Sequence, residues 1–300
     1  MRTRDRVLVG HGTENDFVVL PDPDGDRWPE IRLDAAMVRR LCDRRAGLGG
    51  DGVLRVVRSV HVPDAPAVLG DALDRCEWFM DHRNADGSLA EMCGNGVRLF
   101  LHVLVTEGLL DRAACADGVW VGTRGGPRRL GAGADGTYWV DMGPAREFGR
   151  GSAEVAGRRF EGLAVSMGNP HLACLTDADL DALDLTAQPR FDAELFPEGV
   201  NVELITVLRA PAEGADAHIR LRVHERGVGE TRSCGTGACA AAYAALADAG
   251  ATAGTVVVDV PGGRLTVDVG PDTTVLRGPA VVVAAGELTA EWLGEPVPGS

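Results

Sequence analysis

The sequence predicts a protein of the α/β (α+β) class, made of two halves in which a curved sheet wraps around one central helix. The main observation is a repeated motif, because MCGNGVR at residues 92–98 returns as SCGTGAC at residues 233–239. Each copy places a cysteine before a Gly-x-Gly and opens a long apolar segment. We interpret this pattern as a divergent internal duplication, in which each half contributes the same order of elements.

In the first half, the alternating run CEWFMDHR (76–83) predicts a strand, and VRLFLHVLV (97–105) predicts a helix. In the second half, HIRLRVHER (218–226) predicts a strand, and AAAYAALADA (240–249) predicts a helix. Both helices are apolar nearly all round, which indicates burial on every side. Further strands of the enclosing sheets are predicted at 255–260, 264–269 and 280–285.

The glycine-rich connector GGPRRLGAGADGT (125–137) predicts a domain boundary. We expect residues 1–132 to form the N-terminal half and residues 133–278 to form the C-terminal half. The glycine run GLGGDG (47–52) fits the dinucleotide-binding pattern, but a helix-like segment precedes it and a strand-like segment follows it, the reverse of what that site needs. We therefore interpret it as a helix end with a tight turn, or as a loop at the edge of the active site.

Composition narrows the possible functions. The formal charge of −14 argues against a nucleic-acid partner, which would need a basic surface. The chain contains no lysine, which excludes pyridoxal-phosphate enzymes and P-loop nucleotide hydrolases. No signal peptide or membrane span is evident, so we expect a cytoplasmic protein. The seven cysteines have no regular spacing and no CxxC or HxxxH accompanies them, so we expect reduced thiols and no metal site.

The repeated cysteine motifs point to chemistry. A cysteine at a helix start lies near the positive end of the helix dipole, so we expect Cys93 and Cys234 to have lowered thiol pKa values. The free amides of the same turns can hold a substrate carboxylate. Two thiols on opposite faces of one carbon could invert a stereocentre, one acting as base and the other as acid. The alternative is that both cysteines are small core residues beside tight turns.

At these residues the sequence resembles the diaminopimelate epimerase family. The likeness covers nearly the whole chain, and its motifs are GTENDF, GLGGDGVL, RNADGSLAEMCGNGVR, GNPH, GVNVE and HERGVGETRSCGTG. It implies pyridoxal-independent epimerisation of L,L- to meso-diaminopimelate, a step of lysine and peptidoglycan-precursor synthesis, with no cofactor. It further implies two pseudo-symmetric domains with mostly antiparallel sheets, a C-terminal strand (279–300) that returns to the first half, and a homodimer.

The resemblance assigns roles to individual positions. Cys93 and Cys234 would be the acid/base pair, and His171 and Glu225 would tune the pKa of the thiols. Arg226 would bind the distal carboxylate, since a guanidinium fork matches it. The residues expected to contact substrate are Asn15, Asn84, Gly94, Asn95, Asn169, Asn201, Glu225, Arg226, Gly235 and Thr236.

Two positions depart from the family's pattern. Some members carry a substrate-binding glutamine where this chain has Gly52, so that contact should be missing. Leu89 replaces an acidic residue that is common in the family, at a position that need not touch substrate. Two other functions stay open: a proline or hydroxyproline racemase of the same fold, and an inactive small-molecule binding module.

Overall fold

The computed structural model describes residues 5–208, 212 and 214–295. The outermost residues of the predicted first half, 1–4 and 296–300, lie outside this part of the chain. The α-helices of the described residues are α1 (Ala35–Cys42), α2 (Ala65–Leu69), α3 (Gly94–Thr106), α4 (Gly235–Asp248) and α5 (Ala290–Leu293). The strands of the first half are β1 (Arg6–Gly12), β2 (Asn15–Pro21), β3 (Gly52–Arg58), β4 (Trp78–Asn84), β5 (Val119–Thr123), β6 (Gly126–Ala132) and β7 (Tyr138–Asp141). The remaining strands are β8 (Arg146–Val155), β9 (Arg158–Ser166), β10 (Pro170–Leu175), β11 (Arg190–Phe191), β12 (Asn201–Val207), β13 (Ala217–Glu225), β14 (Gly229–Thr231), β15 (Gly254–Val260), β16 (Gly263–Val269), β17 (Thr274–Gly278) and β18 (Val281–Glu287).

The two halves repeat one pattern of strand pairing. In the first half the spatial order is β18–β1–β2–β3–β4–β5–β6–β7. In the second it is β8–β9–β10–β12–β13–β15–β16–β17. The third and fifth pairings of each series are parallel, and the others are antiparallel. The prediction of two related halves with mostly antiparallel sheets is therefore confirmed.

An antiparallel pairing of β7 with β17 joins the two series into one continuous ladder. The last strand, β18, pairs antiparallel with β1, so residues 281–287 lie on the first half. The exact division of the chain at residue 132 stays a prediction, because β7 pairs both with β6 and with β17.

Each half encloses one central helix. In the first half, α3 packs against β1, β2, β6 and β7; in the second, α4 packs against β10, β13, β15 and β16. Ala238, Ala240, Ala241 and Ala242 are fully buried. Their short side chains let the sheet approach closely, which explains why this helix is rich in alanine. No helix of the described residues is long and apolar enough to cross a membrane.

The glycine run at 47–52 ends α1 and leads into β3. The amides of Leu48 and Gly49 both donate to the carbonyl of Leu41, and Gly49 has a positive φ of 79° that favours glycine. Asp51, two residues after Gly49, accepts a hydrogen bond of 2.7 Å from the side chain of Asn15. The run is thus a helix end, and it also borders the predicted substrate residues.

Candidate active site

The two repeated cysteines are the N-caps of the central helices. Cys93 precedes α3 and Cys234 precedes α4, both with extended backbone. The Gly96 amide donates to Cys93 Sγ and the Gly237 amide donates to Cys234 Sγ, each over 3.4 Å. The glycines that follow each cysteine place backbone amides, with no side chain in the way, at the start of each helix.

The starts of α3 and α4 are in contact. A methyl group added at Gly235 would lie 3.2 Å from the Cα of Gly94 and 3.6 Å from the amide nitrogen of Asn95. The Asn95 side chain also donates to the carbonyl of Ser233 over 2.9 Å. Both thiols therefore border one region at the junction of the two halves, as a two-sided reaction requires.

In the first half, Asn15 connects Cys93 to the glycine loop. The Cys93 thiol donates to Asn15 Oδ1 over 3.4 Å, and Asn95 Nδ2 donates to the same oxygen over 3.4 Å. Because Asn15 Nδ2 is held by Asp51 Oδ2, its oxygen is the atom that faces the thiol. Asp51 is held in turn by Arg44, whose Nη2 donates to Asp51 Oδ1 over 2.9 Å.

In the second half, a line of polar contacts leads to Cys234. Asn169 Nδ2 donates to Thr236 Oγ1 over 3.4 Å, and Thr236 Oγ1 lies 3.5 Å from Cys234 Sγ. On its other side, Asn169 Oδ1 lies 3.0 Å from His171 Nε2. His171 Nδ1 is 2.7 Å from Glu203 Oε1. The predicted residues Asn169, His171 and Thr236 are thus brought together with the second thiol.

The pair Glu225–Arg226 ends β13 beside the same region. The Glu225 carboxylate accepts a hydrogen bond from the Thr231 hydroxyl, and burial raises the pKa of the Glu225 carboxyl. The Arg226 amide donates to Asn201 Oδ1 over 2.9 Å. The Arg226 guanidinium is 39% exposed, and its ion pair with Glu198 is long, at 3.9 Å. It can accept a bidentate anion.

Asn84 is a predicted substrate residue whose side chain, in the described part of the chain, bonds only to its own loop. It is exposed at the end of β4 and donates to Ser88 Oγ over 3.0 Å. It lies opposite Gly52, the position that lacks the family's glutamine. The exposed Leu89 follows in the same loop. Within the described residues, no hydrogen bond joins Asn84 to either cysteine.

The family model for diaminopimelate epimerase matches residues 7–148 and 163–283. The chain belongs to the diaminopimelate epimerase family. It is 52% identical over 294 residues to the diaminopimelate epimerase of Mycolicibacterium smegmatis, covering 94% of this chain and 96% of that protein. It is equally 52% identical over 293 residues to that of Rhodococcus jostii, with the same coverage of both chains.

Solved structures show how widely the fold is shared. A phenazine biosynthesis protein of the PhzF family from Bacillus anthracis matches with a TM-score of 0.65 at 16% identity, over 96% of this chain and 99% of that one. A probable proline racemase from Agrobacterium radiobacter matches with a TM-score of 0.61 at 14% identity, over 95% and 93% of the two chains. At these identities the likeness concerns the fold alone.

The prediction that Cys93 and Cys234 have lowered thiol pKa values is wrong, because both pKa values are raised. Burial raises the pKa of Cys93, and the Gly96 amide only partly offsets it. Burial together with the carboxylates of Glu225 and Glu203 raises the pKa of Cys234 well above its ordinary value. Desolvation of a thiolate therefore outweighs the helix-start amides.

Sequence reasoning missed two buried charged residues. Arg98 on α3 is 1% exposed, and its guanidinium donates to Gly94 O, Thr13 Oγ1 and Asn95 Oδ1. Burial lowers the pKa of Arg98 to about 10. Glu203 on β12 is the partner of His171. Each is a single charge inside an otherwise apolar segment, a signal that was present in the motifs MCGNGVR and GVNVE.

An open cleft of about 610 Å³ lies between the halves and reaches Asn15, although neither Cys93 nor Cys234 lines it. Its lining includes Asn15 and Asp51 from the first half and Thr231 from the second. The Arg232 guanidinium forms an ion pair with Glu14 across it. Among the described residues, no group of His, Cys, Asp and Glu side chains is arranged to hold a metal.

Proposed function

We propose that this protein interconverts L,L- and meso-diaminopimelate by proton transfer at one α-carbon between Cys93 and Cys234. The observation that carries the proposal is that these two thiols cap adjoining helix starts, one from each half. Membership of the diaminopimelate epimerase family supports the substrate and the reaction class.

One cysteine, as thiolate, removes the α-proton, and the other, as thiol, returns a proton to the opposite face. The reacting carboxylate binds the helix-start amides at Gly94–Asn95 and Gly235–Thr236, which stabilise the negative charge that develops on it. Glu225 gives the site a proton acceptor, because its carboxylate is near enough to Cys234 for its charge to raise the pKa of that thiol. The raised thiol pKa values mean that substrate binding must favour the charged form of the thiol, which the cationic ammonium group of the substrate can do as a nearby opposite charge.

The distal end of the substrate binds Arg226 and the side-chain amides around it. Arg226 suits this role because its guanidinium is partly exposed and its nearest carboxylate is 3.9 Å away. Asn201 supports it by accepting from the Arg226 amide. Asn84 and Asn169 complete the set that contacts substrate, with Asn84 reached by movement of its exposed loop. We expect the enzyme to act in the cytoplasm as a homodimer; the exposed apolar Val281 and Val283 of β18 offer a surface for the second copy.

Deuterium uptake at the α-carbon of diaminopimelate in heavy water tests the proposal. Cys93→Ser and Cys234→Ser should each lower epimerisation by about 10²–10⁴-fold, the usual contribution of a general acid or base. Cys115→Ser is the matched control, because that thiol donates to Asp111 O over 3.3 Å outside the site, a bond that serine can also make. Uptake into proline but not diaminopimelate would instead favour a proline racemase. No uptake into either by the unmodified protein would leave it a binding module.

A further inference from the structure

The N-termini of α3 and α4 pack against different side chains, although the strand pairs that supply these side chains, β2–β3 and β10–β12, are equivalent in the two halves. The parallel pair β2–β3 places Phe17 beside Gly52, and the parallel pair β10–β12 places His171 beside Asn201. Two residues further along the second strand of each pair are Leu54 and Glu203. Phe17 and Leu54 in the first half thus correspond to His171 and Glu203 in the second.

The close packing at the equivalent glycines shows the same contrast. A methyl group at Gly96 would meet Phe17 Cζ at 3.3 Å and Leu54 Cδ2 at 3.5 Å. At Gly237 it would meet Glu203 Oε1 at 2.8 Å and Cys234 Sγ at 3.3 Å. The space under Cys93 is therefore apolar, while the space under Cys234 contains a carboxyl group.

From this carboxyl group a directed series of hydrogen bonds reaches Cys234. Glu203 and His171 are both 0% exposed, and their Oε1 and Nδ1 atoms are 2.7 Å apart. In the orientation seen, Asn169 presents Oδ1 to His171 Nε2 and Nδ2 to Thr236 Oγ1. With Nε2–H of His171 donating to Asn169 Oδ1 and Asn169 Nδ2 donating to Thr236 Oγ1, each link from His171 onward donates towards Cys234, while Nδ1 on the other side of the ring faces Glu203. The Thr236 hydroxyl is then left to donate to Cys234 Sγ, 3.5 Å away.

We propose that Glu203 is a positioning residue that, through His171, Asn169 and Thr236, directs a hydroxyl donor at the Cys234 thiolate. The carboxylate holds the His171 ring at Nδ1, and the Nε2–H of that ring fixes which way the Asn169 amide faces. Cys93 has no such support, because Phe17 and Leu54 occupy the corresponding places. The inference rests on the proposed epimerase function and adds a residue to it.

Other titratable groups face this pair. Glu225 on β13 raises the pKa of Glu203, while Cys174 on β10 and Cys234 on α4 each have a pKa raised in part by Glu203. Burial raises the pKa of Glu203 itself to about 7. The ionised carboxylate that the series needs is therefore present above about pH 7 and is lost as the pH falls through that value.

The test compares Glu203→Gln with the unmodified enzyme. Glutamine keeps the shape but replaces the charged partner of His171 Nδ1 with a neutral amide, which weakens the series, so alkylation of Cys234 by iodoacetamide at about pH 8 should slow roughly tenfold, the equivalent of one pKa unit. Alkylation of Cys93, followed on its own peptide by mass spectrometry, should stay within about twofold. The fall of kcat/KM for diaminopimelate below about pH 7 should disappear, with a low kcat throughout.

Two further variants separate this role from a structural one. The double variant His171→Phe with Glu203→Leu copies the apolar pair of the first half and should slow the alkylation of Cys234 about as much as Glu203→Gln does. Thr206→Val removes a buried hydroxyl without a hydrogen-bond partner from the same strand and should change neither readout.

Faster alkylation of Cys234 in Glu203→Gln would overturn the inference, because it would show that Glu203 acts only as a nearby negative charge. The inference would also be overturned if Cys234 were alkylated at the same rate in Glu203→Gln and in the unmodified enzyme. It would likewise be overturned if the alkylation rates of Cys93 and Cys234 changed in parallel. The proposed function fails separately, if the unmodified enzyme exchanges no deuterium into diaminopimelate.

Discussion

Replacing Gly237 by alanine, with Gly96→Ala as its partner, tests whether the two helix starts differ in packing as the structure shows. Both glycines are the third residue of a central helix, and both donate their amide to the capping cysteine. The two substitutions add the same methyl group at equivalent places. Any difference between them must come from what lies beneath.

The expected magnitudes follow from the contacts. Alanine in a helix is favoured over glycine by up to about 1 kcal/mol. At Gly96 the nearest atom would be Phe17 Cζ at 3.3 Å, a tight contact that can relax, so the free energy of unfolding should change by less than about 1 kcal/mol. At Gly237 the methyl group would lie 2.8 Å from Glu203 Oε1, which His171 holds at 2.7 Å. Overpacking costs about 1–3 kcal/mol, so Gly237→Ala should lose about 1–2 kcal/mol net.

Urea unfolding followed by circular dichroism measures both values. The slope of the free energy against urea should be the same in the two variants, so that midpoints can be compared directly. If Gly237→Ala were as stable as the unmodified protein, the Glu203 carboxyl would not lie against the start of α4. Equal losses in both variants would show that the two helix starts are packed alike.

Three other outcomes are expected. Arg226→Ala should raise KM for diaminopimelate about tenfold or more and lower kcat, because binding at the distal end also positions the reacting carbon. Arg220→Ala, which removes an exposed ion pair with Asp181, is the control and should leave both constants unchanged. An unaltered KM in Arg226→Ala would show that the distal carboxylate binds elsewhere. Gly52→Gln should destabilise the protein rather than restore a substrate contact, because its Cβ would lie 2.5 Å from Arg83 O, and a rise in thermal midpoint would contradict this. Since burial raises the pKa of both site thiols, their alkylation without ligand should still accelerate above about pH 9, and a plateau near neutral pH would refute it.

The parts of the fold that could be predicted are those determined by residues close together in the sequence. A cysteine before Gly-x-Gly and an apolar run is a helix start in any context, so both N-caps were recognisable. Alternation in CEWFMDHR and HIRLRVHER predicted β4 and β13. In β13 the alternation matches one buried face, whereas six of the seven residues of β4 are buried, so both faces of β4 are covered. The repeated order of these elements predicted two halves. The β7–β17 pairing has no such signature, because it depends on how the finished halves meet.

The electrostatics of the site could not be predicted in the same way. Glu203 meets His171 only because two parallel strands place their residues side by side, a contact between positions 32 apart in sequence. The direction of the thiol pKa shifts was misjudged for a related reason. A helix start can be recognised from neighbouring residues, whereas desolvation depends on every element that covers the sulfur.

The duplication explains how one chain can place a proton-transfer group on each face of a carbon, but it does not make the two groups alike. Arg98 lies five residues after Cys93, where the second half has the buried, uncharged Cys239, and the Arg98 charge favours a thiolate at Cys93 although burial outweighs it. The second half instead supports Cys234 through a hydrogen-bonded series that ends at Thr236. Reversible epimerisation requires each cysteine to become the thiolate in turn. A separate stabilising device for each sulfur lets the negative charge move from one half to the other without either thiolate being left unsupported in a buried site.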